Sequence, residues 1–199
     1  MSAFAYVGVG SNVDPERNIL LALELLRRRA TVSAVSTFFR TPPAGTPPAG
    51  TPPVGGGEQP PYLNGVWRIT LRVGDSPQGL KRALREIEDR LGRRRSADRY
   101  APRTIDLDLV LYDELVLKEE GLELPDPDIY RRPFLSFPLA ELDPQLVMPD
   151  SGRSIQEVTR EQDPSGMQPR EGFTRRLQRL LLSEAPENGS AGESGARAG

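Results

Sequence analysis

Ile105-Asp106-Leu107-Asp108-Leu109 sets two carboxylates two residues apart inside an apolar run. In a strand, residues two apart share a face, ~6.6 Å apart along the chain. Asp106 and Asp108 therefore point to one side, and Ile105, Leu107, Leu109 and Leu111 point to the other, where they can enter a core. Two ionised carboxylates at that spacing repel by roughly 2.5 kcal/mol at an effective dielectric of ~20. One divalent cation bridging the pair offsets that repulsion, and two cations can share it. Spacing alone also leaves open a plain solvated strand face with arginines as counter-ions. Arg93, Arg94, Arg95, Arg99 and Arg103 crowd the segment just ahead of the pair. A guanidinium presents a planar fork suited to phosphate oxygens. Cation-binding acids beside phosphate-binding arginines are the parts that phosphoryl transfer requires, because positioning and charge neutralisation carry most of that catalysis. The basic run also reads as a solvated charge cluster or a nucleic-acid patch, but Glu88 and Asp98 interrupt it.

Two absences narrow the chemistry. The 199 residues include no histidine and no cysteine, which excludes a Ser-His-Asp triad, a histidine base, a disulfide and any thiolate or imidazole metal site. Carboxylate oxygens suit hard cations such as magnesium. A net charge of −2 gives no general attraction to nucleic acid or anionic membrane. No apolar run approaches the ~20 residues of a membrane span. The opening "MSAFAYVGVG" has no basic segment followed by a long apolar one, so no secretory leader is expected, and the cytoplasm is the expected compartment.

The acids need elements to hold them. Phe4 to Gly10 reads as a strand, rich in β-branched and aromatic residues. Asp14 as N-cap and Pro15 at the first position open a helix whose apolar face is Ile19, Leu20, Leu23 and Leu26. Thr31 to Phe39 reads as one second strand. Three short repeats, "TPPAG", "TPPAG" and "TPPVG", make residues 41–55 a Pro-rich loop insert. "NGVWRITLRV" alternates, with Trp67, Ile69, Leu71 and Val73 inward and a wet face of Arg68, Thr70 and Arg72. Ser76-Pro77 opens a helix striped by Leu80, Leu84, Ile87 and Leu91, and the arginine-rich segment from Gly92 to Arg103 reads as a loop. "TIDLDLVLY" is a strand that Asp113-Glu114 turns back into "LVL". The interleaved pattern gives one domain over 1–165, a terminal helix within 166–182, and a disordered tail over 183–199. No GxxxxGK[ST] occurs, so this is not a P-loop enzyme. Gly8-Val9-Gly10 lacks the third glycine of a dinucleotide fingerprint, and "GSN" reads as no more than a turn and helix entry.

Four segments in order, "YVGVGSN", "TPPVGGGEQPPYLNGV", "IEDRLGRRRSADRYAPRTIDLDLVLYD" and "LELPDPDIYRRPFLSFPLAELDP", span most of Tyr6 to Pro144. With them the chain resembles the 6-hydroxymethyl-7,8-dihydropterin pyrophosphokinases of folate biosynthesis, whose signature P-R-T-[LI]-D-[LI]-D is present from Pro102 to Asp108. The resemblance implies a ferredoxin-like α/β (α+β) fold, with a mixed, antiparallel-rich sheet flanked by helices on both faces. It implies transfer of the pyrophosphoryl group of ATP to the pterin hydroxymethyl oxygen with release of AMP. It also implies two Mg2+ ions on Asp106 and Asp108, and catalytic roles for Arg93 and Arg103. Phosphate or nucleotide contacts fall to Arg93, Arg95, Arg103, Arg132, Glu88 and Tyr100. Pterin contacts fall to Thr51, Pro53, Val54, Tyr62, Asn64 and Phe134. Asn64 can read a donor–acceptor edge with its carboxamide, and the aromatic faces suit a flat ring. The partners implied are ATP and the reduced pterin, with no nucleic acid and no membrane. The protein is expected to be a monomer that can associate with other folate-pathway enzymes.

The chain departs from the family at three places. Asp126 stands where the family has histidine, placing an acid near polyphosphate unless Arg131 or Arg132 screens it. That change raises a second reading, a catalytically impaired relative retained for binding pterin or a partner enzyme. Tyr100 and Ala101 replace a Trp-Gly pair. The insert adds two copies of its repeat; spacing to Gln59-Pro60 makes the third copy the matching one, whereas adjacency to Arg40 favours the first.

Overall fold

The computed structural model describes residues 3–43, 60–93 and 102–183. In chain order the elements are β1 (Phe4–Ser11), α1 (Pro15–Arg27), β2 (Thr31–Val35), β3 (Phe39–Thr41), β4 (Tyr62–Thr70), α2 (Pro77–Arg90), β5 (Asp106–Tyr112), β6 (Leu117–Glu119), β7 (Leu122–Leu124), a 3-10 turn (Pro127–Tyr130), α3 (Pro133–Leu142), α4 (Ile155–Arg160), β8 (Gln168–Pro169) and α5 (Glu171–Leu182). The main sheet runs β5-β1-β4-β3-β8, with β2 also on β4, and β6 and β7 form a separate hairpin. Each of these pairings is antiparallel.

Strand alternation sorts the sheet residues onto two faces. Val7, Val9, Leu63, Trp67, Ile69, Leu107 and Leu109 meet Ile19 and Leu23 of α1, Leu84 and Ile87 of α2, and Phe173 and Leu177 of α5 in the principal core. Tyr6, Val66 and Val110 meet Leu135 and Leu139 of α3 and Ile155 and Val158 of α4 in a second core on the other face. Helices thus cover both faces, as expected. On the second face, Gly8 and Gly10 continue the row begun by Tyr6, and Asn64 and Tyr62 continue the row begun by Val66.

Several local expectations change. Thr31 to Phe39 is two strands, not one. The chain breaks at Ser36, whose hydroxyl accepts from Val66 N at 2.9 Å, so that Phe38 can drop into the core with no exposed surface. Asp14 precedes α1 but makes no side-chain cap; its backbone is left-handed at φ 44°, and its carboxylate pairs with Arg17 at 3.7 Å. Leu20 is only partly buried, and Ala22 takes a fully buried place on that face. Ser76 does cap α2, accepting from Gly79 N at 3.1 Å. β4 ends at Thr70, so Val73 lies outside it and is fully exposed. The wet face of β4 is confined to its C-terminal half, because Asn64 and Val66 are buried and Arg68 lies over the Phe4 ring at 4.7 Å. After Asp113 the chain does not fold back onto β5; its next strand, β6, pairs with β7.

β5 carries the largest departure. Tyr6 pairs with Leu111 but Val7 pairs with Leu109, so Val110 is an extra residue in the ladder. A bulge of this kind reverses the alternation beyond it. Ile105, Leu107 and Leu109 enter the principal core as expected, whereas Leu111 joins the second core and Tyr112 the first.

Candidate active site

The second face of the sheet is covered at one end and built of small and polar residues at the other. Across the strands, Gly10 lies opposite Asp106 on β5 and Asn64 on β4, and Gly8 lies opposite Asp108 and Val66. Paired residues of antiparallel strands project to the same side. Asp106 and Asp108 therefore share one face, as their spacing requires, and the two glycines beside them add no side chain to it. A Cβ on Gly10 would lie 2.6 Å from Asn64 Oδ1, and one on Gly8 would lie 2.9 Å from Leu135 Cδ2.

Charge is threaded through this surface. Arg93 reaches Asp106 Oδ1 at 2.5 Å and also donates to Glu88, while Arg103 takes Asp106 Oδ2. Glu88, only 3% exposed, also accepts from Leu107 N at 2.8 Å. Burial pushes the Glu88 carboxyl up, against the pull of the Leu107 amide and Arg93. Among the described residues no arginine is paired with Asp108, whose side chain reaches the surface. Desolvation around its carboxyl, and then Asp106, Asp126 and Glu88, raise it to about 7, opposed by Arg93. The two carboxylates offer only oxygens, and those of Asp106 are held by guanidinium groups. That donor chemistry fits a hard divalent cation.

"GSN" is more than a helix entry. Ser11 Oγ donates to the Thr104 carbonyl at 2.6 Å. Asn12 N donates to the Arg103 carbonyl at 3.1 Å, and Arg103 N donates to Asn12 Oδ1 at 2.7 Å. These buried polar residues clasp the backbone that carries Arg103 toward Asp106. The signal in the sequence was a Ser-Asn pair at the end of an apolar strand, where a buried polar group must find a partner.

Asn64 is 7% exposed, and its Nδ2 donates to Thr41 Oγ1 at 2.7 Å. Thr41, in the first repeat copy, ends β3 opposite Tyr62. Tyr62 is half-buried beside the charge cluster; burial raises its hydroxyl, and Arg103, Asp106 and Arg93 all act on it. Arg132 is engaged by Asp128 at 2.6 Å and lies 5.7 Å from the Phe134 ring centre at the start of α3. Asp126 caps the 3-10 turn, accepting from Asp128 N at 2.8 Å. Burial raises its carboxyl, and the Asp128 amide and then Arg132 oppose that rise without reversing it. The structure thus gathers Glu88, Arg93, Arg103, Asp106 and Asp108, with Tyr62 and Asn64 beside them. Arg95, Tyr100, Thr51, Pro53 and Val54 lie outside the described residues, as do Arg94, Arg99, Ala101, and most of the repeat insert and of the tail.

A cleft of about 380 Å³ opens from Asp108 along the edge of β5, between α2 and the β6–β7 hairpin. Lys81, Arg85 and Glu88 enter it from one face of α2, with Glu123 and Asp126 opposite. Lys81 donates to the Gly121 carbonyl; burial and then Arg85 lower its ammonium, against Asp108, Asp126 and Glu88. The sequence reading missed Lys81 and Arg85. Their spacing to Glu88, at i, i+4 and i+7, marks a polar face beside the Leu84–Ile87 stripe.

Comparison with known proteins bears on these positions. A family profile described as "7,8-dihydro-6-hydroxymethylpterin-pyrophosphokinase (HPPK)" matches residues 6–144. A Synechocystis protein named 2-amino-4-hydroxy-6-hydroxymethyldihydropteridine pyrophosphokinase is 35% identical over 168 residues, 83% of this chain and 79% of the relative. A protein of the same name from Methylorubrum extorquens is 34% identical over 82% of this chain and 96% of its own length. A crystal structure of wild-type Plasmodium falciparum HPPK-DHPS with STZ-DHP superposes with a TM-score of 0.56 at 10% identity, over 94% of this chain. This chain spans under half of that one, 46%, and the likeness shows the ferredoxin-like fold.

Proposed function

The chain belongs to the 7,8-dihydro-6-hydroxymethylpterin-pyrophosphokinase family, and from that premise we propose how its residues divide the reaction. The reaction moves the pyrophosphoryl group of ATP to the hydroxymethyl group of the reduced pterin and releases AMP, a step of folate synthesis. The relatives are named as pyrophosphokinases, which favours an active enzyme over an impaired pterin binder.

The observation that carries the residue assignment is the shared, glycine-flanked face of Asp106 and Asp108 between a carboxamide reader and a charged cleft. Asp106 and Asp108 hold magnesium, two ions in this reading, which when bound neutralises phosphate charge and acidifies the attacking hydroxyl. Asn64 reads the pterin edge, and Tyr62 and Phe134 border the ring. The nucleotide enters by the cleft, with Glu88 at its wall. Arg93 and Arg103, held on Asp106 without substrate, turn their forks to the transferred phosphates. A triphosphate spanning the aspartates brings the transferred group and the hydroxyl to one point, and fixed cations stabilise the developing charge. Arg132 serves the phosphates once freed from Asp128; by the family resemblance Arg95 contacts phosphate, Tyr100 the nucleotide, and Thr51, Pro53 and Val54 the pterin. Among the described residues no helix is long and apolar enough to cross a membrane, and the cytoplasm is the compartment proposed.

The direct test is incubation with MgATP and the reduced pterin, following AMP and the pyrophosphorylated product. Product needs both substrates, and Asp106→Ala and Asp108→Ala each lower turnover by at least ~100-fold, the scale of a lost electrostatic stabiliser. Turnover within threefold of wild type in either variant refutes the assignment.

A further inference from the structure

We propose that the C-terminal strand and helix, β8 and α5, are a positioning device for substrate recognition, acting through β3 and Thr41 on the carboxamide of Asn64. The inference rests on the reading of Asn64 as the group that meets the pterin. These elements lie beyond residues 6–144 that the family profile matches, yet they grip the strand that leads into the site.

The grip is made at Phe38. Its N–H donates to Thr174 Oγ1 at 2.9 Å, and its carbonyl accepts from Arg170 N at 2.8 Å. Both backbone groups of this buried residue are therefore satisfied by the C-terminal unit. The Phe38 ring meets Phe173 edge-on, with centroids 5.6 Å apart at 88°. On its other side the ring lies where a Cβ of Gly65 would stand, 2.7 Å away. Gly65 follows Asn64 directly, so the ring packs against the residue next to the reader. One residue further, Phe39 and Arg40 pair with Pro169 and Gln168. Gly166 lies against Pro42, 3.5 Å from its ring when given a Cβ. Residues 38–42 are thus held from one side along their length.

Thr41 passes this placement on. It is 4% exposed, and its hydroxyl accepts from Asn64 Nδ2. With that donor committed, Oδ1 sits over Gly10, beside the Asp106 row. The carboxamide therefore presents one fixed order of acceptor and donor. A carboxamide free to rotate presents either order, and a flat heteroaromatic edge pairs with only one. Thr41 and Thr174 touch no substrate atom in this reading; they are positioning residues.

The test is steady-state kinetics on the full chain, with the pterin KM, the ATP KM and the melting temperature measured together. Loss of one orienting hydrogen bond corresponds to roughly fivefold to tenfold in affinity. Thr41→Val is expected to raise the pterin KM by about that factor while the ATP KM stays within twofold; Thr41→Ser, which keeps the hydroxyl, restores it. Thr174→Val is expected to raise the pterin KM by ~3-fold or more, with the same split. Phe173→Leu, which removes the ring contact and keeps an apolar side chain, gives a second route should Thr174→Val not fold. Asn64→Ala separates the proposal from the reading beneath it. If Asn64→Ala raises the pterin KM and the threonine variants do not, the positioning role is overturned and the reading stands. If Asn64→Ala leaves the pterin KM unchanged, both fall. A fall in melting temperature with both KM values unmoved, or raised alike, also overturns the proposal, since that is what a purely structural role gives.

Discussion

Gly10 and Asn64 face each other across two strands, and the missing side chain at Gly10 is what leaves room for the carboxamide oxygen. Gly10→Ala would place a methyl 2.6 Å from that oxygen, closer than any real contact allows, so the carboxamide must turn or the strands must part. The expected outcome is a rise in pterin Kd of at least ~10-fold with nucleotide binding unchanged, read by titrating the purified protein with each ligand separately. Asp126 gives a pH-dependent expectation. Its carboxyl is raised in the folded protein, by burial first, and unfolded it titrates near ~3.9. The folded state therefore holds the proton more tightly, and wild-type stability falls as pH rises from the unfolded value through the raised one. Asp126→Asn keeps an oxygen to cap the 3-10 turn and removes the charge. Urea unfolding should find the variant gaining on wild type as pH rises above about 4; a gap that does not widen with pH counts against the charge argument.

At the scale of elements, alternation is what made the site readable. A period of two puts Asp106 and Asp108 on one side and Leu107 and Leu109 on the other, and the structure keeps both placements. The face of Leu111 was not readable, because one additional residue in a ladder leaves no mark on composition. The break at Ser36 was hidden for a similar reason: a Ser and a Thr between apolar residues fit a strand, and only a tertiary contact decides otherwise. The clasp made by Ser11 and Asn12 was also beyond local reading, since its partners are some ninety residues away. That clasp carries its own expectation. Asn12→Ala leaves the part-buried Arg103 amide without its acceptor and should cost about 1–3 kcal/mol of stability. It should also lower kcat more than it raises either KM, because Arg103 loses its aim at the phosphates. Thermal unfolding beside steady-state kinetics checks both halves of the claim.

Across the whole molecule, one face of the sheet is covered end to end, while the other is covered by α3 and α4 at one end and given to chemistry at the other. α5 belongs to the covered side: Leu177 is fully buried in the principal core. Leu177→Ala should destabilise the protein by about 2–5 kcal/mol, seen as a lowered urea midpoint at unchanged slope. The border between the scaffold half and the reactive half of the second face runs through Val110. There β5 splices two out-of-phase halves of one rhythm, so Asp106 and Asp108 keep time with the site while Leu111 and Tyr112 keep time with the interior. Deleting the single codon for residue 110 would bring both halves onto one beat and still leave Leu109 opposite Val7 and Leu111 opposite Tyr6. The aspartates and the anchoring pair would keep their sides, so the shortened chain should keep its turnover and lose only what burying Val110 contributes, about 1.5–3 kcal/mol.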